Sequence, residues 1–328
     1  MGVLRRALVT GSSGFLGSHL VRRLQDAGLL VHGVDLVAPR YPELAPDQFE
    51  HVDLRRGYAA YHALARGYDE VYDLAALVGG LGYIHHGNHA TIATDNTLIN
   101  LHVLQAAAQT GARYLFTSSA VVYPEYKQAK PDVTPLKEDS VFPAYPAEGG
   151  YGFQKLYHEQ LIGYYRDAGM CEVRIARLHN SYGPYGTWEG GKEKAPAAIC
   201  RKVAEAPNGG TIEVWGDGEQ TRSFTYVDDT VEGLYRLMQS DYQEPVNIGS
   251  DRLVTINELV AIVARIAGKT IHLRHDLGQP EGVRGRNSSN ARIRAVLGWE
   301  PSISLEDGLA TTYQWIADQV ARRGAVAA

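Results

Sequence analysis

The sequence predicts an α/β protein: a Rossmann-type doubly wound parallel sheet carrying a smaller C-terminal domain. Short β-rich runs alternate with longer helical patterns through the first half, a glycine loop joins the first strand to the first helix, and Gly- and Pro-rich loops take over after about Asn180. Such alternation implies parallel strands, because each helical crossover must pack back onto one face of the sheet.

In chain order, residues 6–10, 30–34, 70–74, 114–118 and 172–178 read as strands. Residues 17–26 and 97–109 carry apolar side chains at helical spacing between them. Beyond Asn180, residues 195–206 and 256–267 read as helices of the smaller unit, while 223–229 and 245–248 look like elements that return to the large sheet. The expected division is 1–179 for a dinucleotide-binding domain and 180–328 for a substrate domain, with the returning elements near 223–250. No internal repeat, low-complexity tract or long linker interrupts it.

Composition removes several function classes. A chain of 328 residues can bury a sizeable core, and 45% apolar against 21% charged residues excludes disorder. A net charge of -5 provides no basic field, so nucleic acid is not an expected partner. The two cysteines, Cys171 and Cys200, lack metal-ligand spacing and read as core thiols in a reducing compartment. No bound metal is expected. Arg5-Arg6 runs straight into a strand without a signal-peptide pattern, and no stretch reaches the ~20 apolar residues of a membrane span. The expectation is a cytoplasmic protein with no membrane partner.

Thr10-Gly11-Ser12-Ser13-Gly14-Phe15-Leu16-Gly17 links the first strand to the first helix. Gly11, Gly14, Phe15 and Leu16 are therefore candidates to meet a diphosphate at a helix N-terminus, where backbone N–H groups and the helix dipole favour negative charge. Asp35 ends the second strand, where a carboxylate accepts hydrogen bonds from a ribose diol and repels a 2′-phosphate. The cofactor expected is NAD rather than NADP. Asp53 and Leu54 are candidate adenine contacts, and Leu74, Ala75 and Ala76 form a small-residue strand end where the cofactor passes.

Tyr151 and Lys155 stand one helical turn apart, on one helix face. The ammonium favours the phenolate, which can take a hydroxyl proton while hydride leaves the same carbon. Ser119, at the end of a strand, can hydrogen-bond that hydroxyl. With the nucleotide loop upstream, this order resembles the extended short-chain dehydrogenase/reductase family, whose members use a Ser, a Tyr and a Lys with bound NAD.

A closer resemblance covers nearly the whole chain. Residues 77–83 (LVGGLGY), 123–128 (YPEYKQ), 186–196 (GTWEGGKEKAP), 215–224 (WGDGEQTRSF) and 280–287 (PEGVRGRN) are similar to the GDP-mannose 3,5-epimerases, a branch of that family. The resemblance implies a pocket for a nucleotide-diphosphate sugar, with a GDP-sugar favoured, formed by Gly79, Ser119, Asn180, Glu193, Lys194, Lys202, Gln220, Arg222 and Arg286. Charge supports part of it: Lys202, Arg222 and Arg286 can neutralise a diphosphate. Arg284 is expected to be a solvated surface residue. The resemblance also implies a homodimer, with helices over 98–108 and 151–165 pairing across a two-fold axis.

One position departs from the branch. Its members place a cysteine two residues beyond the catalytic serine and pair it with a lysine matched here by Lys194, and the two move protons at the carbons flanking a transient 4-ketone. This chain has Val121 at the cysteine position. Hydrocarbon neither gives nor accepts a proton, so inversion beside the ketone loses a partner, whereas inversion of the ketone carbon needs only Ser119, Tyr151, Lys155 and NAD. The expected function is C4 epimerisation of an activated manno-configured hexose or heptose, with Lys194 binding the sugar. The alternatives are 3,5- or single-site C3 or C5 epimerisation, with His179, Tyr123 or a water replacing the thiol, then a dehydratase or 4-keto reductase, and a non-catalytic nucleotide-sugar binder.

Overall fold

The computed structural model describes residues 4–79, 88–143 and 149–327, so residues 80–83 of the first family-like motif lie outside it. The strands are β1 (Arg6–Thr10), β2 (Leu30–Asp35), β3 (Gln48–His51), β4 (Glu70–Asp73), β5 (Arg113–Ser119), β6 (Val173–Leu178), β7 (Ser181–Tyr182), β8 (Gly210–Trp215), β9 (Thr221–Arg222), β10 (Thr225–Tyr226), β11 (Pro245–Ile248), β12 (Val254–Thr255), β13 (Ile271–Asp276) and β14 (Gly285–Arg286). The helices are α1 (Phe15–Asp26), α2 (Gly57–Leu64), α3 (His89–Thr110), α4 (Gly149–Asp167), α5 (Ala195–Glu205), α6 (Val227–Gln239), α7 (Ile256–Ile266), α8 (Ala291–Leu297) and α9 (Leu305–Ala327).

Seven parallel strands make the large sheet in the order β11-β6-β5-β4-β1-β2-β3. The chain winds outward from β1 through β2 and β3, then crosses back to build the other half from β4. Connections leave β1 and β4 in opposite directions, which opens a crevice at their carboxyl ends. Helices cover both faces, as the alternation requires: Leu20, Val21 and Leu24 of α1 join Val231, Leu234 and Leu237 of α6 on one face, while α2 and α3 bury Ala60, Ala63, Ile99 and Val103 on the other.

The apolar cluster beneath α1 and α6 continues without a break into Ile199, Val214, Leu259 and Ile316 of the C-terminal elements. The smaller unit is welded to the sheet through shared core. Thr255 and Glu258 close a capping box at the start of α7, satisfying N–H groups that a helix end otherwise leaves open.

Two elements differ from the sequence expectation. Residues 245–248 join the large sheet as β11, but residues 223–229 do not: β10 pairs with β7 in a separate ladder, and α6 begins at Val227. The apolar period after Val227 is helical, so the strand stops after two residues. Helix α3 starts at His89 rather than near 97 because buried Ile92 and Asn96 extend the face of Ile99 and Val103. Asn96 breaks the apolar pattern but is satisfied there: its Oδ1 accepts from Leu77 N at 2.7 Å and its Nδ2 donates to Leu77 O at 3.2 Å.

Candidate active site

The crevice between β1 and β4 opens into a cleft of about 620 Å³. Its floor demands glycine. Gly11 has φ +67°, and a Cβ there would lie 2.9 Å from the Ala75 backbone; a Cβ on Gly17 would lie 2.0 Å from the Gly11 carbonyl oxygen. The loop therefore lies flat against the start of α1, with Gly14 at its N-cap, and leaves room for a diphosphate. Asp35 anchors the loop: its carboxylate accepts from Ser13 N at 3.0 Å and from Val37 N at 3.1 Å.

Gly11, Gly14, Phe15, Leu16, Asp35, Asp53, Leu54, Leu74, Ala75 and Ala76 all line this cleft. Asp53 is gripped by Arg55, whose Nε and Nη2 donate at 2.9 and 3.0 Å and whose Nη1 reaches Asp95 at 3.1 Å. Those hydrogen bonds hold the Asp53 carboxyl below its usual range. The glycine floor, the helix N-terminus and the carboxylate at the end of β2 fit a dinucleotide with a free ribose diol. Arg55 and Asp95 also line the cleft from outside any motif that sequence reasoning recognises, and Lys192 lines it from within the 186–196 stretch, where it was not singled out.

A second cleft of about 570 Å³ shares Leu16, Leu74, Ala76, Gly79, Thr117 and Lys194 with the first. Ser119, Tyr151 and Lys155 line this second cleft; Tyr151 and Lys155, expected from the sequence to touch the cofactor as well, do not line the first. Lys155 is 2% exposed. Its Nζ donates to Thr117 O at 2.9 Å and lies 4.5 Å from the centre of the Phe116 ring and 5.9 Å from that of Tyr151. Burial pushes the Lys155 ammonium down to about 8, against the opposing fields of Asp73 and Glu159. Glu159, one turn farther along α4, is itself clamped by Arg177 at 2.7 Å and accepts from Ser118 Oγ at 2.5 Å. The phenol, the amine and the serine hydroxyl thus line one cleft, with Lys155 tied to Thr117, a residue that both clefts share.

Gly79, Ser119, Asn180, Glu193, Lys194, Lys202, Gln220, Arg222 and Arg286 all line the second cleft. Most are anchored by backbone: Lys202 Nζ donates to Glu213 O at 2.7 Å, Arg222 Nη2 to Glu281 O at 3.1 Å, Asn180 Nδ2 to Ser223 O at 3.2 Å and Gln220 Nε2 to Trp215 O at 3.1 Å. Arg286 is 4% exposed, and its Nε donates to Gln128 Oε1 at 2.5 Å. Glu193 holds its own loop, accepting from Gly191 N at 2.7 Å and from Arg201 at 3.1 Å. Arg201, absent from the sequence reading, also lines this cleft. Arg284 lines neither cleft and stays partly exposed, as expected of a surface arginine, but it is ion-paired: Asp217 takes its two terminal nitrogens at 3.0 and 3.1 Å and Glu281 takes one at 2.5 Å, where the 280–287 loop folds back over residues 215–222.

Residues 7–249 match the NAD dependent epimerase/dehydratase family. The chain belongs to that family. It is 45% identical over 320 residues to a GDP-mannose 3,5-epimerase 1 of Oryza sativa subsp. japonica, covering 96% of this chain and 82% of the rice protein. Among solved structures it superposes on the UDP-glucose 4-epimerase of Thermotoga maritima with UDP-glucose, with a TM-score of 0.86, 25% identity and coverage of 96% of this chain and 99% of that one. The Thermus thermophilus UDP-glucose 4-epimerase complex with NAD gives a TM-score of 0.81 at 25% identity, over 95% and 98% of the two chains. The protein is an NAD-dependent nucleotide-sugar epimerase.

In this epimerase Val121 sits in the short turn that follows Ser119, 4% exposed and packed with Ile92, Leu77 and the Tyr151 ring. Neither side chain considered as a substitute for the missing thiol is equipped for the task. Tyr123 does not line the second cleft; its hydroxyl donates to Asn247 Oδ1 at 2.7 Å, and burial pushes it up to about 12. His179 lines the cleft, but burial pushes it down to about 3, and Nε2 is taken by Asn247 Oδ1 at 3.3 Å. A neutral imidazole of that acidity neither delivers nor holds a proton near pH 7.

Proposed function

We propose that the enzyme inverts C4 of a nucleotide-diphosphate-activated, manno-configured hexose or heptose, with a GDP-sugar favoured by the names of its relatives. The observation that carries this is Val121: the position beside Ser119 is hydrocarbon among hydrocarbon. Tyr151 takes the proton of the C4 hydroxyl, Ser119 hydrogen-bonds the same oxygen, and Lys155 keeps the phenol acidic. NAD, when bound, supplies the hydride acceptor and donor for that carbon. Lys202, Arg222 and Arg286 hold the diphosphate while the sugar turns over. Lys194, at the N-cap of α5 between both clefts, orients the sugar.

A second reading rests on the 45% identity to a GDP-mannose 3,5-epimerase. Under it, C3 and C5 exchange protons through Lys194 and a water. Turnover in D2O separates the two. C4 inversion keeps hydrogen on the substrate–cofactor shuttle, so NMR of the product should find no carbon-bound deuterium; deuterium at C3 or C5 would overturn the C4 reading. Val121→Cys should then introduce solvent label at a flanking carbon.

We also propose a homodimer. Phe153, Tyr157 and Tyr164 on α4 and Leu98 on α3 are exposed large apolar side chains on the helices expected to pair. Light scattering after size exclusion should return twice the chain mass, and Tyr157→Glu should halve it.

A further inference from the structure

Behind the redox site lies a buried carboxylate. Asp73, the last residue of β4, is 1% exposed. It pairs in register with Phe116, over whose ring the Lys155 ammonium sits. Thr117, next along β5, ties the two together: its Oγ1 donates to Asp73 O at 2.9 Å, and its own carbonyl accepts from Lys155 Nζ at 2.9 Å.

Each side-chain partner of Asp73 gives it a hydrogen. Thr10 Oγ1 accepts from Leu74 N and Ala75 N, both at 3.0 Å, so its own proton goes to Asp73 Oδ1 at 2.8 Å. Asn100 presents Nδ2 at 2.9 Å, its orientation set by Gln154 Nε2 donating to Oδ1 at 3.0 Å. Tyr114 donates its hydroxyl at 2.7 Å, backed by His158 Nε2 at 3.2 Å. A protonated Asp73 could place its hydrogen only on the Tyr114 oxygen, and only if that hydroxyl turned away to His158 Nε2, whereas an anion accepts from all three donors as they stand. Burial pushes the carboxyl above its usual range, while Tyr114, Thr10, Lys155 and Asn100 act against that.

Among the described residues, three packed elements face Lys155 with titratable, aromatic or hydrogen-bonding groups. β4 contributes Asp73, and β5 contributes the Phe116 ring, the Thr117 carbonyl and, through Asp73, the Tyr114 hydroxyl. α4 contributes Tyr151, His158 and Glu159. His158 is neutral, pushed down to about 3 by burial. Glu159 is already committed to Arg177. Among the described residues Asp73 has no cationic side chain as a hydrogen-bond partner, so its charge, unlike that of Glu159, is not spent on an arginine and favours the buried ammonium.

We propose that Asp73 is a positioning residue of the redox site, an ionised carboxylate buried behind the sheet end whose charge keeps Lys155 an ammonium during turnover. It acts through Lys155 and touches neither sugar nor cofactor. The proposal rests on the role given above to Tyr151 and Lys155. Its test is the pH dependence of the holoenzyme. In Asp73→Asn the alkaline limb of kcat should move down by about one pH unit or more, the usual effect of removing a nearby opposite charge. The 15Nζ titration of Lys155 should fall in step. An unmoved limb with a uniformly lower kcat would show that Asp73 only packs, and would overturn the proposal. Asp73→Ser, shorter and without the amide's opposing hydrogens, replaces the Asn variant if that does not fold. In the unmodified protein, which needs no turnover, the 13Cγ signal of Asp73 should be that of a carboxylate from pH 7 to 9. A protonated Asp73 in that range overturns the proposal whichever carbon of the sugar is inverted.

Discussion

Gly11, Gly14 and Gly17 shape the cofactor cleft within one strand–loop–helix stretch, whereas the substrate cleft draws Gly79, Ser119, Asn180, Lys202, Arg222 and Arg286 from elements spread over most of the chain. In the first, backbone does the shaping: close contact at Gly11 and Gly17 leaves no room for a side chain. In the second, long cationic side chains do it, each held ready by a backbone carbonyl or an amide. One cleft fails when backbone is pushed out of place, the other when charge is removed. Separate damage to each tests the contrast.

The largest effect is expected at the redox site. Tyr151→Phe keeps the ring against Val121 but removes the proton acceptor, so turnover should fall ~100-fold or more. NAD content and KM should stay near those of the parent. A variant with substantial activity would remove Tyr151 from the mechanism.

On the substrate side, Arg222→Ala removes a charge-assisted contact worth ~1.5–3 kcal/mol, so KM should rise about tenfold to a hundredfold. Bound NAD should be unchanged by absorbance of the released cofactor. Parallel loss of NAD would mean that the two clefts are not separable.

On the cofactor side, Gly17→Ala must displace the Gly11 carbonyl and should cost ~1–3 kcal/mol of stability. NAD should be lost on purification, with the sugar-nucleotide end still able to bind in a calorimeter. Retention of NAD at parental levels would contradict a cleft shaped by backbone.

The smallest effect is one of pH, and it has opposite signs for activity and stability. Lys155 is pushed down to about 8 in the folded chain from an ordinary 10.5. As pH rises through about 8 the ammonium is lost and activity falls. Between about 8 and 10.5 the unfolded chain binds the extra proton, so this residue's contribution to stability rises with pH. Thermal unfolding of the parent and of Lys155→Met should converge over that interval while parental activity declines. Activity that holds flat to pH 9.5 would show that the ammonium is not needed.

By itself the sequence determined the parts whose physics is local. The alternation of strand and helix patterns, the glycine loop, Asp35 at a strand end, and Tyr151 one turn from Lys155 depend on neighbours a few residues away. Chain order alone marked the strand end at Ser119, and the long family-like segments marked the substrate residues that line the second cleft.

Only the tertiary structure decided the rest, because it depends on what the chain meets after folding. β10 leaves the large sheet for β7, since the helical apolar period after Val227 outweighs two strand residues. Arg284, still partly exposed, gains Asp217 and Glu281 as ion-pair partners when two distant loops close on each other. His179 and Tyr123 looked available as acids in one dimension and are disqualified by burial and by Asn247, which comes from β11. Asp73 receives its hydrogen-bond donors only on folding, when Thr10, Asn100 and Tyr114 surround it. A sequence records which groups are present; their charge and reach are set by desolvation and by hydrogen-bond partners that only the packed chain brings together.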